Sequence, residues 1–600
     1  MTSRGGDLNS PVNVQRRVHL SLATLAVIVE RVAFGTLFSV IISIVIFGTI
    51  LLAKSASFTL HLHRSFLLAA GAFATIFILS PRLELHFTTF SMQFLCYFVF
   101  VGLLVTVDRR AHLLKPTDRL QRAVFLGGAV IVATAIASWW RFRGLLPWAM
   151  SGDARNHIRI IRETVENSGL SFPGYPGLAN GLAGVFGGWK FDLSAQSSGD
   201  LAVEIRILAV SATVFLFSAS TMAGLLVASN VAATHRRLAI FGTALLTMLP
   251  MSQLWLYTYL FEGFVPTALT LATTLAVFVE LCRQSVSVQW LVVTAGVGAL
   301  ILALTYPLLV PAVLAATFAA VVIATVQRVG RWSNLAVWLV PALVGLLAFW
   351  VFGLDRVRIY TRRNLDLDGR ISPVAAWAIP ALAGLSLALI VSLLCRPRAM
   401  SSAILSFGVV SILLDRFLSE TLDRGYYLDK TRWLVCVTLI AINVTLIVRV
   451  LDAAEARRIQ LASVSLLVGL VAMTVLPVIQ SVPKKPIALT MLDGWRLPTA
   501  SEAQIIEEAN REAPASVFWR VSPDYLSTQV MDIWLTVGFD PTESNISWGY
   551  RSDVFSIEQV CALAAENAPS TIWVVSADAQ EVAEQSCQRQ GVSVKMLDGR

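Results

Sequence analysis

Apolar residues fill most of this chain in unbroken runs, without the two-residue alternation of a strand or the one-sided stripe of a surface helix. Such runs fall near 33–53, 65–80, 88–107, 123–140, 203–228, 238–256, 264–282, 290–305, 307–326, 333–353, 374–395, 403–414, 433–451 and 459–482. At about 20 residues per bilayer crossing, they predict a polytopic α-helical membrane protein with about 14 transmembrane helices, in the range 12–14. The shortest runs are 65–80 and 403–414, and Pro307 and Pro311 mark a break or a re-entrant turn inside 290–326.

Polar positions divide the chain. Residues 1–32 precede the first run, and within them 18–32 suit an interfacial or partly inserted segment. Inside the transmembrane domain, 33–482, three polar connections stand out at 141–202, 354–373 and 415–432. From Pro483 the period changes: helix-like SEAQIIEEANRE and SIEQVCALAAEN alternate with strand-like SVFWRV and TIWVVSA. Residues 483–600 therefore predict a small α/β domain, without a glycine-rich phosphate loop, metal-ligand spacing or a Ser/His/Asp pattern.

Composition agrees with the pattern, since 56% hydrophobic and 14% charged residues exclude a soluble protein. The net charge of +9 does not imply nucleic acid, because Lys and Arg gather in alternate connections. Arg109 and Arg110, Arg236 and Arg237, Arg328 and Arg331, Arg396 and Arg398, and Arg457 and Arg458 mark cytoplasmic loops of a plasma-membrane protein. Counting helices from them puts 141–202, 354–373, 415–432 and the tail on the extracytoplasmic side, whereas Arg16 and Arg17 pull the N-terminus the other way. The outer connection 354–373 carries Arg356, Arg358, Arg362, Arg363 and Arg370 against Asp355, Asp366 and Asp368, which suits either a solvated loop or an anion site.

Cysteine usage separates two groups. Cys96, Cys282, Cys395 and Cys436 lie in or beside apolar runs and suit packing. Cys561 and Cys587 fall in the tail on two expected helices, where a disulfide and two buried thiols are both open.

Candidate chemistry starts at Ser151–Gly181, SGDARNHIRIIRETVENSGLSFPGYPGLANG. Asp153 follows a glycine at the start of a short helix whose Ile158, Ile160, Ile161 and Val165 rest on an apolar surface. His157 comes four residues later, so acid and imidazole share a face. Gly169 ends that helix, and Phe172–Gly177, with Tyr175 before Pro176, turns the chain before it re-enters a helix at Leu178. Glu204 and Arg206 open the following helix and suit a structural ion pair, while Glu262 sits among aromatic residues facing the same side as Asp153. In 415–432, Arg424, Lys430 and Arg432 surround Tyr426 and Tyr427. Such a basic and aromatic site suits a lipid-linked phosphate and its sugar, or else interfacial belt residues.

With Asp153, Tyr175-Pro176 and Tyr426-Tyr427-x-x-Lys430 in view, the chain resembles the GT-C class of integral membrane glycosyltransferases. It is most similar to actinobacterial members that build the cell envelope, among them the galactan arabinofuranosyltransferases. The resemblance lies in the order of parts over nearly the whole chain. It departs in two places: Asn180 stands where relatives often carry a second His, and the acidic loop follows about the fourth helix rather than the first.

The resemblance implies transfer of a sugar from a polyprenyl-phosphate-linked donor to a glycan or glycolipid acceptor on the outer face, among membrane lipids. Asp153 would be the base, His157 its neighbour, and Lys430 with Arg424 or Arg432 the groups on the departing phosphate. No nucleotide site is needed, and a divalent cation could be held if Glu262 joined Asp153. A transporter or flippase of lipid-linked sugars and a non-catalytic scaffold of an envelope assembly complex are the competing readings.

Overall fold

The computed structural model describes residues 62–79, 154–166, 177–187, 201–228, 265–283, 288–329, 374–392, 398–421, 426–453, 517–518, 557–566, 571–574 and 577–596. The helical part contains α1 (Leu62–Leu79), α2 (Ala154–Glu166), α3 (Leu178–Gly187), α4 (Leu201–Ala228), α5 (Val265–Leu281) and α6 (Val288–Ala303). After a 3-10 turn at Pro307–Leu309 come α7 (Val310–Val329), α8 (Ala378–Ser392), α9 (Arg398–Thr421) and α10 (Tyr426–Ala453).

Among the described residues four helical segments are long and apolar enough to cross a membrane: Glu204–Ala228, Pro307–Gln327, Ala399–Thr421 and Tyr427–Val450. The described part of the chain is mostly helical and has the elements of a membrane protein. Shorter apolar helices accompany them in α1, α5, α6 and α8. The expected runs 33–53, 88–107, 123–140, 238–256, 333–353 and 459–482, and the segment 1–32, lie outside the described residues.

α5 lies at the centre, every one of its residues being buried, and it packs against α4, α6, α1 and α10. An apolar helix enclosed on all sides must dispose of its polar side chains internally. Thr270, Thr273 and Thr274 do so by donating to the carbonyls four residues earlier. Phe278 of α5 meets Phe407 of α9 edge to face with ring centres 5.0 Å apart. Between α8 and α10, Ser386 donates to Asn443 Oδ1 at 2.6 Å while Asn443 Nδ2 donates to the Leu382 carbonyl at 3.0 Å, a polar tie inside an apolar interface. Outward, Val409, Leu413 and Phe417 repeat every four residues along one exposed face of α9, as a lipid-facing surface requires.

Two boundaries differ from those read in the sequence. The short run 403–414 is part of the 24-residue α9, and 426–432 form the first turns of α10, so most of the expected loop 415–432 is helix. Polar residues there continue the helices: the Ser419 and Thr421 hydroxyls donate to carbonyls within their own helix. At 290–326 the chain does break, at Leu304–Tyr306. Pro311 then sits in the first turn of α7, where a missing N–H costs little.

α10 carries polar groups at both ends, Lys430 near its start and Arg449 near its finish. Nineteen steps of 1.5 Å separate them by about 28 Å, close to the thickness of a bilayer's hydrocarbon core. The bundle thus has two polar ends joined by a mostly apolar interior.

In the tail, β1 (Val517–Phe518), β2 (Thr571–Val574) and β3 (Ser593–Met596) form a parallel sheet in that order. α11 (Ile557–Glu566) and α12 (Ala577–Cys587) supply Val560, Ala564, Ala579 and Ala583 to a core with Ile572 and Val574. Cys561 and Cys587, both fully buried, are joined as a disulfide between α11 and α12, which decides between the two alternatives left open by the sequence. Gly591, at φ 68°, takes the left-handed turn that leads into β3.

Candidate functional site

α2 is strongly two-sided. Ile158 and Ile161 are fully buried, as expected for a helix resting on an apolar surface, and His157 and Thr164 lie on the same inward side. His157 therefore faces the packed interior rather than bulk water. One turn after Ile158, at the edge of that face, Arg162 reaches Glu204 of α4 through Nε and Nη2 at 3.0 and 2.6 Å. The sequence suggested Glu204 with Arg206; instead Arg206 is exposed and Glu204 fastens α2 to α4. A two-point arginine–carboxylate contact fixes orientation as well as distance.

α3 begins where the Tyr-Pro segment ends. The Leu178 N–H donates to the Leu304 carbonyl at 3.0 Å, so the first turn of α3 is bonded to the last residues before Tyr306. Asn180, two residues along in that turn, is fully buried, and neither its Oδ1 nor its Nδ2 has a hydrogen-bond partner among the described residues. Gly181 lets α3 close on α1, because a Cβ there would lie 2.5 Å from the Phe77 ring.

Tyr306 carries the connection onward. Its hydroxyl lies 3.2 Å from the Tyr427 carbonyl, to which it donates, and 3.0 Å from the Thr431 hydroxyl. Thr431 itself donates to the Tyr427 carbonyl at 2.7 Å. Burial, only partly opposed by the Thr431 hydrogen bond, pushes the Tyr306 hydroxyl above its usual range, so it stays a neutral donor.

Lys430 is 3% exposed, and its Nζ lies 5.6 Å from the centre of the Tyr427 ring. Arg432 is differently placed. Its Nε donates to Asp415 Oδ1 at 2.6 Å, its Nη1 donates to the Val374 carbonyl at 3.3 Å, and Asp429 lies 3.7 Å away. Asp429 in turn accepts the Val374 N–H at 3.2 Å. Arg432 is thus engaged by two carboxylates in a set of contacts that ties α9, α10 and the segment before α8 together, and as a phosphate ligand it is not in reserve.

Of the residues singled out in the sequence, His157, Asn180, Tyr427, Lys430 and Arg432 are described; Asp153, Tyr175, Glu262 and Arg424 lie outside the described residues, as does the side chain of Tyr426. The Leu178–Leu304 and Tyr306–Tyr427 contacts bring the helix of Asn180 and the helix of Lys430 to the same end of the bundle, although 250 positions separate the two residues in the chain. Tyr306, Thr431 and Asp415 are contributors that the sequence reading missed; the only signal for Tyr306 was its place beside Pro307 at a break in an apolar run. Among the described residues no three His, Cys, Asp or Glu side chains gather as a metal site. No family model, curated protein or solved structure matches the chain.

Proposed function

We propose that this chain is an inverting membrane glycosyltransferase of GT-C type, with a dozen or more spanning helices and its working end and tail on the extracytoplasmic side. It moves a sugar, arabinofuranose or mannose-like, from a polyprenyl-phosphate donor to a cell-envelope glycan or lipid acceptor. The observation that carries this reading is the junction through Leu304 and Tyr306, which gathers the buried Asn180 and the buried Lys430 at one end. A protein with no ligand has little reason to bury an amide that has no partner among the described residues.

In the reaction the acceptor oxygen attacks the anomeric carbon as the bond from that carbon to the phosphate oxygen breaks. The acceptor proton passes to the Asp153 carboxylate, and polyprenyl phosphate leaves with the bonding pair. Lys430 meets the charge that grows on the departing phosphate. His157, four residues from Asp153, orients that carboxylate or the acceptor; Arg432 holds the first turns of α10 in place through Asp415.

The transporter reading would draw on the buried ions at Glu280, but these fall in the last turn of α5, whereas carriers build their sites from broken helices. The test is incubation of the purified full-length protein with a panel of polyprenyl-phospho-sugars and a glycan acceptor. Release of polyprenyl phosphate coupled to acceptor glycosylation supports the proposal, whereas donor binding without turnover on any pair favours the carrier.

A further inference from the structure

At the end of the bundle opposite Lys430, a second polar group takes no part in the proposed reaction. Glu280, fully buried in the last turn of α5, accepts from Arg64 Nε and Nη2 at 2.8 and 2.6 Å and sits 2.7 Å from His63 Nε2. Arg283 Nη1 approaches the same carboxylate at 3.5 Å, on the oxygen already shared by His63 and Arg64 Nε. Two guanidiniums therefore share one carboxylate, leaving one unit of positive charge over among the described residues. That long contact is the only partner of the Arg283 side chain among them, though the residue is 7% exposed. His63 Nδ1 is likewise buried without a hydrogen-bond partner among the described residues. Buried charge and buried polar atoms in this state are costly unless something completes them.

The surroundings say what would. The Trp290 ring lies 4.4 Å from the Arg64 guanidinium, and Arg449 donates to the Cys282 carbonyl beside Arg283 at 2.9 Å. An amphipathic tryptophan among arginines is the composition of a headgroup layer. The separation of about 28 Å along α10 puts this cluster at one headgroup level when Lys430 is at the other. We propose that the cluster is a binding site for the phosphate of an anionic phospholipid, with Arg283 as its principal ligand. With Nε2–H given to Glu280, His63 Nδ1 is an acceptor, and a hydroxyl on the headgroup satisfies it.

The experiment measures the unfolding temperature of full-length protein in nanodiscs of phosphatidylglycerol and of phosphatidylcholine, and in detergent with inorganic phosphate. Phosphatidylglycerol should raise it by about 2–4 °C over phosphatidylcholine, and Arg283→Gln should remove that difference. Arg416→Gln, which deletes an exposed arginine on α9, should retain it. Equal stability of the wild-type protein in both lipids overturns the proposal, even if Arg283→Gln does not fold. Stabilisation by inorganic phosphate without a lipid difference overturns the lipid as occupant, and an undiminished lipid response in folded Arg283→Gln overturns the assignment of that residue.

Discussion

The hydroxyl of Tyr306 lies 3.0 Å from that of Thr431, and both point at the carbonyl of Tyr427, closing a triangle between the turn before α7 and the start of α10. The same turn receives the Leu178 N–H, so any shift of Tyr306 is felt by α3 and α10 alike. Tyr306→Phe should lower stability by about 0.6–1.5 kcal/mol, since the Tyr427 carbonyl keeps Thr431 as a donor. Donor affinity should fall with it. Thermal unfolding and donor titration on the same preparation check this, and unchanged donor affinity would show that the triangle serves the fold alone.

Arg432 and Lys430 look alike in the sequence and should behave differently. Asp415→Asn leaves Arg432 without its closest carboxylate in a site where both side chains are about 12% exposed, and should cost about 3–5 kcal/mol of stability. Lys430→Ala should instead leave most of the stability intact and weaken donor binding and turnover together, because the charge meets the phosphate in ground and transition states alike. Comparable loss of fold in both variants would move Lys430 into the structural set.

The contrast bears on what a sequence can reveal. Unbroken apolar runs made α4, α5, α6 and α7 legible to within a few residues, because hydrocarbon burial leaves a continuous record along the chain. The extent of α9 and α10 was not legible, since charged residues that pair between helices, such as Asp415 with Arg432, have the same composition as a loop. Partners distant in the chain were equally hidden: Arg162 finds Glu204 across 42 positions, and Arg64 finds Glu280 across 216. His157 was legible as a residue of an amphipathic helix, but its burial follows from α3, α4 and their neighbours.

The tail offers a separate test. Peptide mapping without reductant should recover Cys561 joined to Cys587, and reduction should lower the stability of the tail by about 2–4 kcal/mol. A disulfide that persists in cells also argues for an oxidising compartment. Two free thiols in the mature protein would remove that support for an exported tail.

Sidedness can be measured directly. A cysteine introduced at Ser168 should react with an impermeant thiol reagent in intact cells, and one at Ser333 should not. Ser168 lies in the outer connection 141–202 and Ser333 at the expected cytoplasmic start of the run 333–353, on opposite sides of the expected topology. The reverse labelling pattern would turn the proposed working end toward the cytoplasm and exclude an extracytoplasmic reaction.

The decisive substitution is at Asp153, immediately before the first residue of α2. Two roles fit that position. As an N-cap the carboxylate would accept an N–H from the first turn, and asparagine does this about equally well, so Asp153→Asn would change stability by a few tenths of a kcal/mol and leave transfer intact. As a base it must take the acceptor proton, which an amide cannot do, so turnover should fall by roughly two to four orders of magnitude while donor binding is nearly kept. His157→Ala separates the roles further: a residue that orients the base lowers kcat with little effect on donor affinity, whereas one that only fills the interior of α2 lowers stability without a selective loss of kcat. Near-normal transfer by folded Asp153→Asn protein would falsify the assignment of the base and leave the end of the bundle at Lys430 as a binding surface.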